Sequence, residues 1–205
     1  MRATFPFHGR ALSGAVAAML VLAACSAAPV RNPDTHYDLD VAMAPVSFGA
    51  EAAIALRRVD IRGLQSGRSL VIVTGTDPVR FQEQRGHCWH VATPTLIERA
   101  FLTAMNDAST DAAFGTRDSF DSVDYELVMT VSRFAHVPGG EAMVDFDATV
   151  TTANGEVLLA RSYWGRAPLA GDAPADGVTG LGAALGEAMA VFAAELAAAL
   201  PAGKS

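Results

Sequence analysis

The sequence has almost no cysteine, almost no lysine and few aromatic residues. Two cysteines in 205 residues, Cys25 and Cys88, cannot build a disulfide scaffold or a four-cysteine zinc site. Lys204 is the only lysine, and acidic residues outnumber basic ones by 22 to 15. A chain this acidic and this poor in ammonium groups has no basic stripe to follow phosphates. That argues against nucleic acid as a partner and against adhesion to anionic lipid by charge. No H-x-x-x-H spacing and no full G-x-G-x-x-G after a strand occurs, so neither a metal nor a nucleotide cofactor is expected.

What is present begins with a leader. Arg2 and Arg10 precede an apolar run, "ALSGAVAAMLVLAA" (residues 11–24), that is too short to span a bilayer and reads as a secretory signal over residues 1–24. The run ends in Leu22, Ala23, Ala24 and Cys25, which resembles the lipobox at which a signal peptidase cuts and the cysteine thiol carries diacylglycerol. Cys25 is therefore the expected lipidation site, with acyl chains such as palmitate holding the mature chain to a membrane that it does not cross. Ser26 follows, with no aspartate at that position, which favours the outer membrane. The leader carries two of the 15 basic residues and no acid, so the mature chain has 13 basic against 22 acidic residues, a net charge of −9. With Cys25 acylated, Cys88 has no intramolecular partner.

Residues 25–35 ("CSAAPVRNPDT") read as a lipidated tether, residues 36–200 as one domain and residues 201–205 as a tail. In "HYDLDVA", Tyr37, Leu39 and Val41 alternate with Asp38 and Asp40, the mark of a half-buried strand. "IALRRVDI" and "SLVIVTG" are two further strands, and "VRFQEQRGHCWHV" holds one or two more extended pieces. "TPTLIERAFLTAMND" is a helix, entered at Pro94 after Thr93 or through a Thr95/Glu98 capping box. It buries Ile97, Phe101, Ala104 and Met105. After a polar loop (residues 108–122), "DYELVMTVSRFAHV" and "EAMVDFDATVTT" alternate as strands. Asn154 and Gly155 predict a type I′ turn into "EVLLARSYWG", with Phe146 facing Tyr163 and Val150 facing Leu159. A second helix, about residues 178–200, presents Leu181, Leu185, Ala188, Phe192, Leu196 and Ala199. Glu187 and Glu195 would be costly in hydrocarbon, so it is read as a core helix and not a membrane span. The fold class is α/β (α+β): one domain with an antiparallel or mixed sheet covered by two helices.

The stretch "GHCWH" gathers His87, Cys88 and His90. On an extended chain His87 and Trp89 point one way and Cys88 and His90 the other, so only two potential ligands share a face. A metal centre needs more, and a Cys/His nucleophile has no orienting third group in the sequence. The simpler reading is a strand anchored by Trp89. Asp145 and Asp147 share a strand face with threonines and Ser162, as a solvated surface does. Gly180 and Gly182 lack the strand that a nucleotide loop requires. No catalytic residue is assigned.

The order of these features resembles a known family. A lipobox precedes "HYDLDV", then "SLVIVTGTDPVRF", a tryptophan before a proline-started helix ("CWHVATPTLIERAFLTAM") and "YELVMTVSRF". An Asn-Gly hairpin into "VLLARSYW" and an alanine-rich terminal helix follow. The succession is similar to the ABC-type transport auxiliary lipoprotein family, whose best-known member serves the paraquat-inducible system. The resemblance implies a periplasmic, non-enzymatic domain, often a homo-oligomer. It would dock an MCE-domain protein beside an inner-membrane ABC permease and ATPase that move lipid between membranes. Of the family's positions only Cys25 carries over. The competing reading is an envelope lipoprotein that regulates or assembles another periplasmic enzyme or outer-membrane protein.

Overall fold

The computed structural model describes residues 33–49 and 51–201. Cys25, the leader and nearly all of the tether and tail lie outside the described residues. The elements run in chain order β1 (Thr35–Tyr37), β2 (Ala52–Ile61), β3 (Ser69–Thr76), β4 (Val79–Trp89), α1 (Thr93–Ala108) and β5 (Ala112–Gly115). They continue with β6 (Tyr125–His136), β7 (Glu141–Thr152), β8 (Val157–Pro168) and α2 (Pro174–Ala199), with short 3-10 turns at Gly63–Ser66 and Arg117–Ser119. The eight strands form one mixed sheet in the order β1-β4-β3-β6-β2-β5, with β7 and then β8 added on β6.

β6 is the spine. One of its edges pairs antiparallel with β7 along its length, while the other pairs parallel with β2 and, at His136, with Ile72 of β3. Its alternation makes this possible: Leu127, Met129 and Val131 are buried on one face. A bulge between Val131 and Arg133 then shifts the phase, so Phe134 continues the core side.

Both helices cover that face. α1 starts as the sequence suggests, with Pro94 in the first turn. Ala92 is its N-cap and Thr95 lies inside the helix, so the alternative capping box does not form. Thr93 instead donates its hydroxyl to the Gly67 carbonyl at 2.7 Å, tying the helix to the turn before β3. At the other end Asn106 bonds both the amide and the carbonyl of Phe114, fixing α1 against β5. The stripe of α2 meets that of α1 where Phe192 and Phe101 lie 6.0 Å apart, and Phe192 also packs edge-on against Phe146 and Tyr163. Burying each such ring contributes roughly 1.5–3 kcal/mol.

Three expectations need correction. α2 begins at Pro174, several residues before the expected start near 178, because Pro174 suits the first turn and Asp176 accepts the Ala173 amide at 3.2 Å. The strand in "HYDLDVA" stops at Tyr37. Beyond it the chain runs over α2, so close that a Cβ on Gly182 would overlap the Asp40 carbonyl oxygen. The β7–β8 register is the expected one, with Phe146 opposite Tyr163 and Val150 opposite Leu159. Its turn, however, is not type I′. That turn needs positive φ at both central residues, and among the described residues only glycines have it, here Gly155 at φ 84°. The chain turns over three residues between Thr152 and Glu156, and a bulge after Val150 restores the register.

His136 is fully buried, neither ring nitrogen has a hydrogen-bond partner, and the ring packs so tightly on α2 that a Cβ on Gly177 would overlap it. Burial holds its pKa below the ordinary 6.5. The unfolded chain therefore takes up this proton more readily than the folded one. Its contribution to stability is complete above about pH 6.5 and is lost as pH falls below it. His136→Leu is expected to abolish that part of the decline in Tm between pH 7 and 5, at little or no cost at pH 8. Parallel melts of both chains check this, and an unchanged pH slope would contradict it.

Candidate functional site

The "GHCWH" segment closes β4 and serves as its clamp on β1. The parallel register places Thr35, His36 and Tyr37 beside His87, Cys88 and Trp89. Trp89 is 1% exposed and stacks obliquely with Phe134 at 5.7 Å, which makes it the core anchor. His87 Nδ1 and the Tyr37 hydroxyl share a hydrogen bond at 3.0 Å. His90 Nε2 accepts from Arg99 at 2.8 Å, which leaves its proton on Nδ1, facing the Tyr37 carbonyl at 3.3 Å and Asp38 at 3.4 Å. Each histidine is thus committed to a structural bond. Cys88 is half-buried, and burial, then the Asp34 and Glu83 carboxylates, push its thiol up against the opposing pull of Arg68. A nucleophilic cysteine needs the opposite shift. Among the described residues no group of three or more His, Cys, Asp and Glu is arranged to hold a metal ion. Elemental analysis of the purified protein is expected to find no stoichiometric zinc, with Cys88→Ser folding normally. Zinc near one per chain, lost in that variant, would contradict this account.

Asp145 and Asp147 do lie on one face of β7, away from the helices, but they do not act as a pair. Asp145 is held by Arg166 at 2.5 Å and Arg133 at 3.4 Å, whereas Asp147 accepts the Ser162 hydroxyl at 2.5 Å. With Trp164 and Arg166 they line a shallow recess of about 260 Å³. The face is not wholly polar, as the sequence suggested. At one end Val71, Val73, Ala135 and Met143 bury one another in a second small cluster with Phe81 and Val137.

A wider open recess, about 680 Å³, lies at the start of β2 and β5 beside Glu51, Asp111 and Asp124. Two of its carboxylates are already used by the backbone. Asp111 accepts the Phe48 and Gly49 amides and the Ser47 hydroxyl, bonds that hold its pKa down, and Asp124 accepts the Ala53 amide. Asp111 and Asp124 thus brace the loops around the recess.

Acidic residues of α2 that the sequence marked only as poor membrane residues shape the opposite margin. Glu195 accepts the Tyr163 hydroxyl at 2.9 Å and pairs with Arg161 at 3.3 Å, and Glu187 accepts the Arg166 amide at 2.8 Å. Burial and the Glu195 bond push the Tyr163 phenol well up, so it stays a neutral donor. The acids that make α2 a poor membrane span are thus bound to β8. Trp164, 66% exposed on β8, gave no periodic signal because it falls on the solvent side of a regular alternation.

Comparison with known proteins agrees with the architecture. Residues 37–197 match the family described as the ABC-type transport auxiliary lipoprotein component. A crystal structure of a Xanthomonas campestris protein of the DUF330 family is similar in fold, with a TM-score of 0.69 at 15% identity, covering 80% of this chain and 96% of that one. A second crystal structure, of an uncharacterized protein, has a TM-score of 0.60 at 15% identity, covering 82% of this chain and 98% of that one. No curated protein matches the sequence.

Proposed function

Because the chain belongs to the ABC-type transport auxiliary lipoprotein family, a lipoprotein family of the cell envelope, we propose that it is the docking component of an MCE-type lipid transport system. In this reading Cys25 is acylated and fixes the domain to the periplasmic face of the outer membrane. There the domain engages an MCE-domain protein that works with an inner-membrane ABC permease and ATPase, and it does so as a homo-oligomer. Its contribution is binding and placement, without catalysis.

The observation that carries this reading is the family match over residues 37–197 together with the Cys25 junction just upstream of it. The geometry supports scaffolding over carriage. A carrier that shields an acyl chain needs a sizeable apolar cavity. Among the described residues both helices spend their apolar stripes on the sheet core, and the two recesses described above are open to solvent, with carboxylates and hydroxyls among the residues that line them. The purified chain mixed with phospholipid vesicles is therefore expected to extract no phospholipid, while its deletion weakens the envelope's barrier to detergents. Extraction of phospholipid in fixed stoichiometry would replace docking with lipid carriage.

A further inference from the structure

β8 ends its branch of the sheet and pairs with β7 alone. The ladder between them runs from Leu159 to Pro168 without a register shift, so alternate residues aim their amides outward. Arg166 sets the phase, because its N–H meets the Glu187 carboxylate. Ala160, Ser162 and Trp164 share that phase, and Pro168, next in it, has no N–H to offer. One half of this edge is thus closed by a carboxylate and a proline, both ways of keeping a strand edge from pairing. Residues 160–164 carry neither, and none of their outward amides has a partner among the described residues outside the ladder.

Two further features lie on the same open stretch. Trp164 is the most exposed large apolar side chain among the described residues. Among the described residues Asp147, across from Ser162 and lining the same recess as Trp164, has a hydroxyl partner and no cation paired to it, whereas the neighbouring Asp145 is paired with two arginines. An indole face beside a carboxylate that has no cation paired to it suits a cationic side chain, and a chain with 22 acidic residues against 15 basic ones favours a partner of the opposite sign.

We propose that residues 160–164 of β8 accept an extended segment of a basic protein partner as an added strand, with a lysine or arginine of that segment seated between Trp164 and Asp147. Main-chain bonds to the open amides and carbonyls supply affinity, and the Trp164 recess supplies selectivity. The inference rests on the docking role only for where the partner resides; its chemistry follows from the edge itself.

The test uses the purified full-length chain and a short, blocked, labelled peptide of alternating valine and lysine. The expected result is a saturable rise in peptide anisotropy and slowed hydrogen exchange at the Ala160, Ser162 and Trp164 amides. Ala160→Pro removes an outward N–H without breaking a bond to β7, and Trp164→Ala removes the indole. Each is expected to weaken binding about tenfold or more at unchanged Tm. A valine/glutamate peptide is expected to bind about tenfold more weakly than the lysine one. The proposal is overturned if no saturable binding occurs, if either variant binds as the parent does, or if the glutamate peptide binds equally well. It is also overturned if the same amides become protected without peptide as protein concentration rises, which would assign the edge to a second copy of the chain. Each of these outcomes is independent of whether the chain copurifies with a transporter.

Discussion

Gly165→Ala is expected to destabilise the domain by about 4 kcal/mol or more, a large share of the roughly 5–15 kcal/mol that holds a domain of this kind together. The reason is a single close approach. At Gly165 β8 passes so near α2 that an added Cβ would overlap the Ala184 carbonyl and reach within 3.1 Å of the Ala188 nitrogen. These are backbone atoms of a helix and cannot swing aside as the end of a side chain does. α2 would have to lift from the sheet, loosening Leu181, Leu185, Ala188 and Phe192, which are all 1% exposed or less. For a domain of this size the loss corresponds to a fall in Tm of roughly 8–16 °C. Gly155→Ala, at a turn with φ 84° and open space around it, should cost only about 1 kcal/mol. Thermal melts of the two variants side by side check the contrast, and a fall of less than about 4 °C for Gly165→Ala would show that the helix–sheet contact is looser than described.

Cys25→Ser is expected to move essentially all of the protein from the membrane fraction to the soluble periplasmic fraction. Each acyl methylene placed in the bilayer contributes about 0.8 kcal/mol, and the several chains of a lipoprotein cysteine together exceed anything a rim of charge could replace. Among the described residues no compensating anchor is on offer. α2 is long and apolar enough to pass as a span, but more than half of its most apolar stretch is buried in the core, and Glu187 and Glu195 are bound to β8. Fractionation with mass spectrometry of the mature N-terminus measures the effect. An unmodified N-terminus at or beyond Cys25, or a variant still sedimenting with membranes, would contradict it.

Much of the fold was legible because it rests on local signals. Alternation in "EAMVDFDATVTT" and "VLLARSYW" placed Phe146 opposite Tyr163 correctly, since register depends on which face is buried. The type I′ turn failed because the Asn-Gly pair was assumed to set the hairpin alone, whereas a three-residue turn and a compensating bulge reach the same register. Pro94 marked α1, and the apolar stripe marked α2, but the glycines at its start hid four of its residues. Gly177, Gly180 and Gly182 look helix-hostile in sequence, yet they are buried where His136, Leu169 and the Asp40 carbonyl leave no room for a Cβ. Such contacts join residues far apart in the chain and leave no trace in periodicity.

The candidate sites divide along the same line. "GHCWH" was legible as a strand end with Trp89 inward, but its clamp on Tyr37 and Arg99 depends on the parallel pairing of β1 with β4. The open edge of β8 was invisible, because an edge exists only once the strand order is known. Glu187 capping Arg166 could not be read from either segment alone.

The docking role is tested most directly by purifying the tagged full-length chain from detergent-solubilised envelopes and identifying what accompanies it. The account predicts an MCE-domain protein in reproducible stoichiometry, together with the ABC permease and ATPase after mild cross-linking, and predicts that Cys25→Ser weakens that recovery. A chain that is lipid-anchored yet recovers no transporter component, and instead copurifies stoichiometrically with an unrelated periplasmic enzyme or outer-membrane protein, would contradict it.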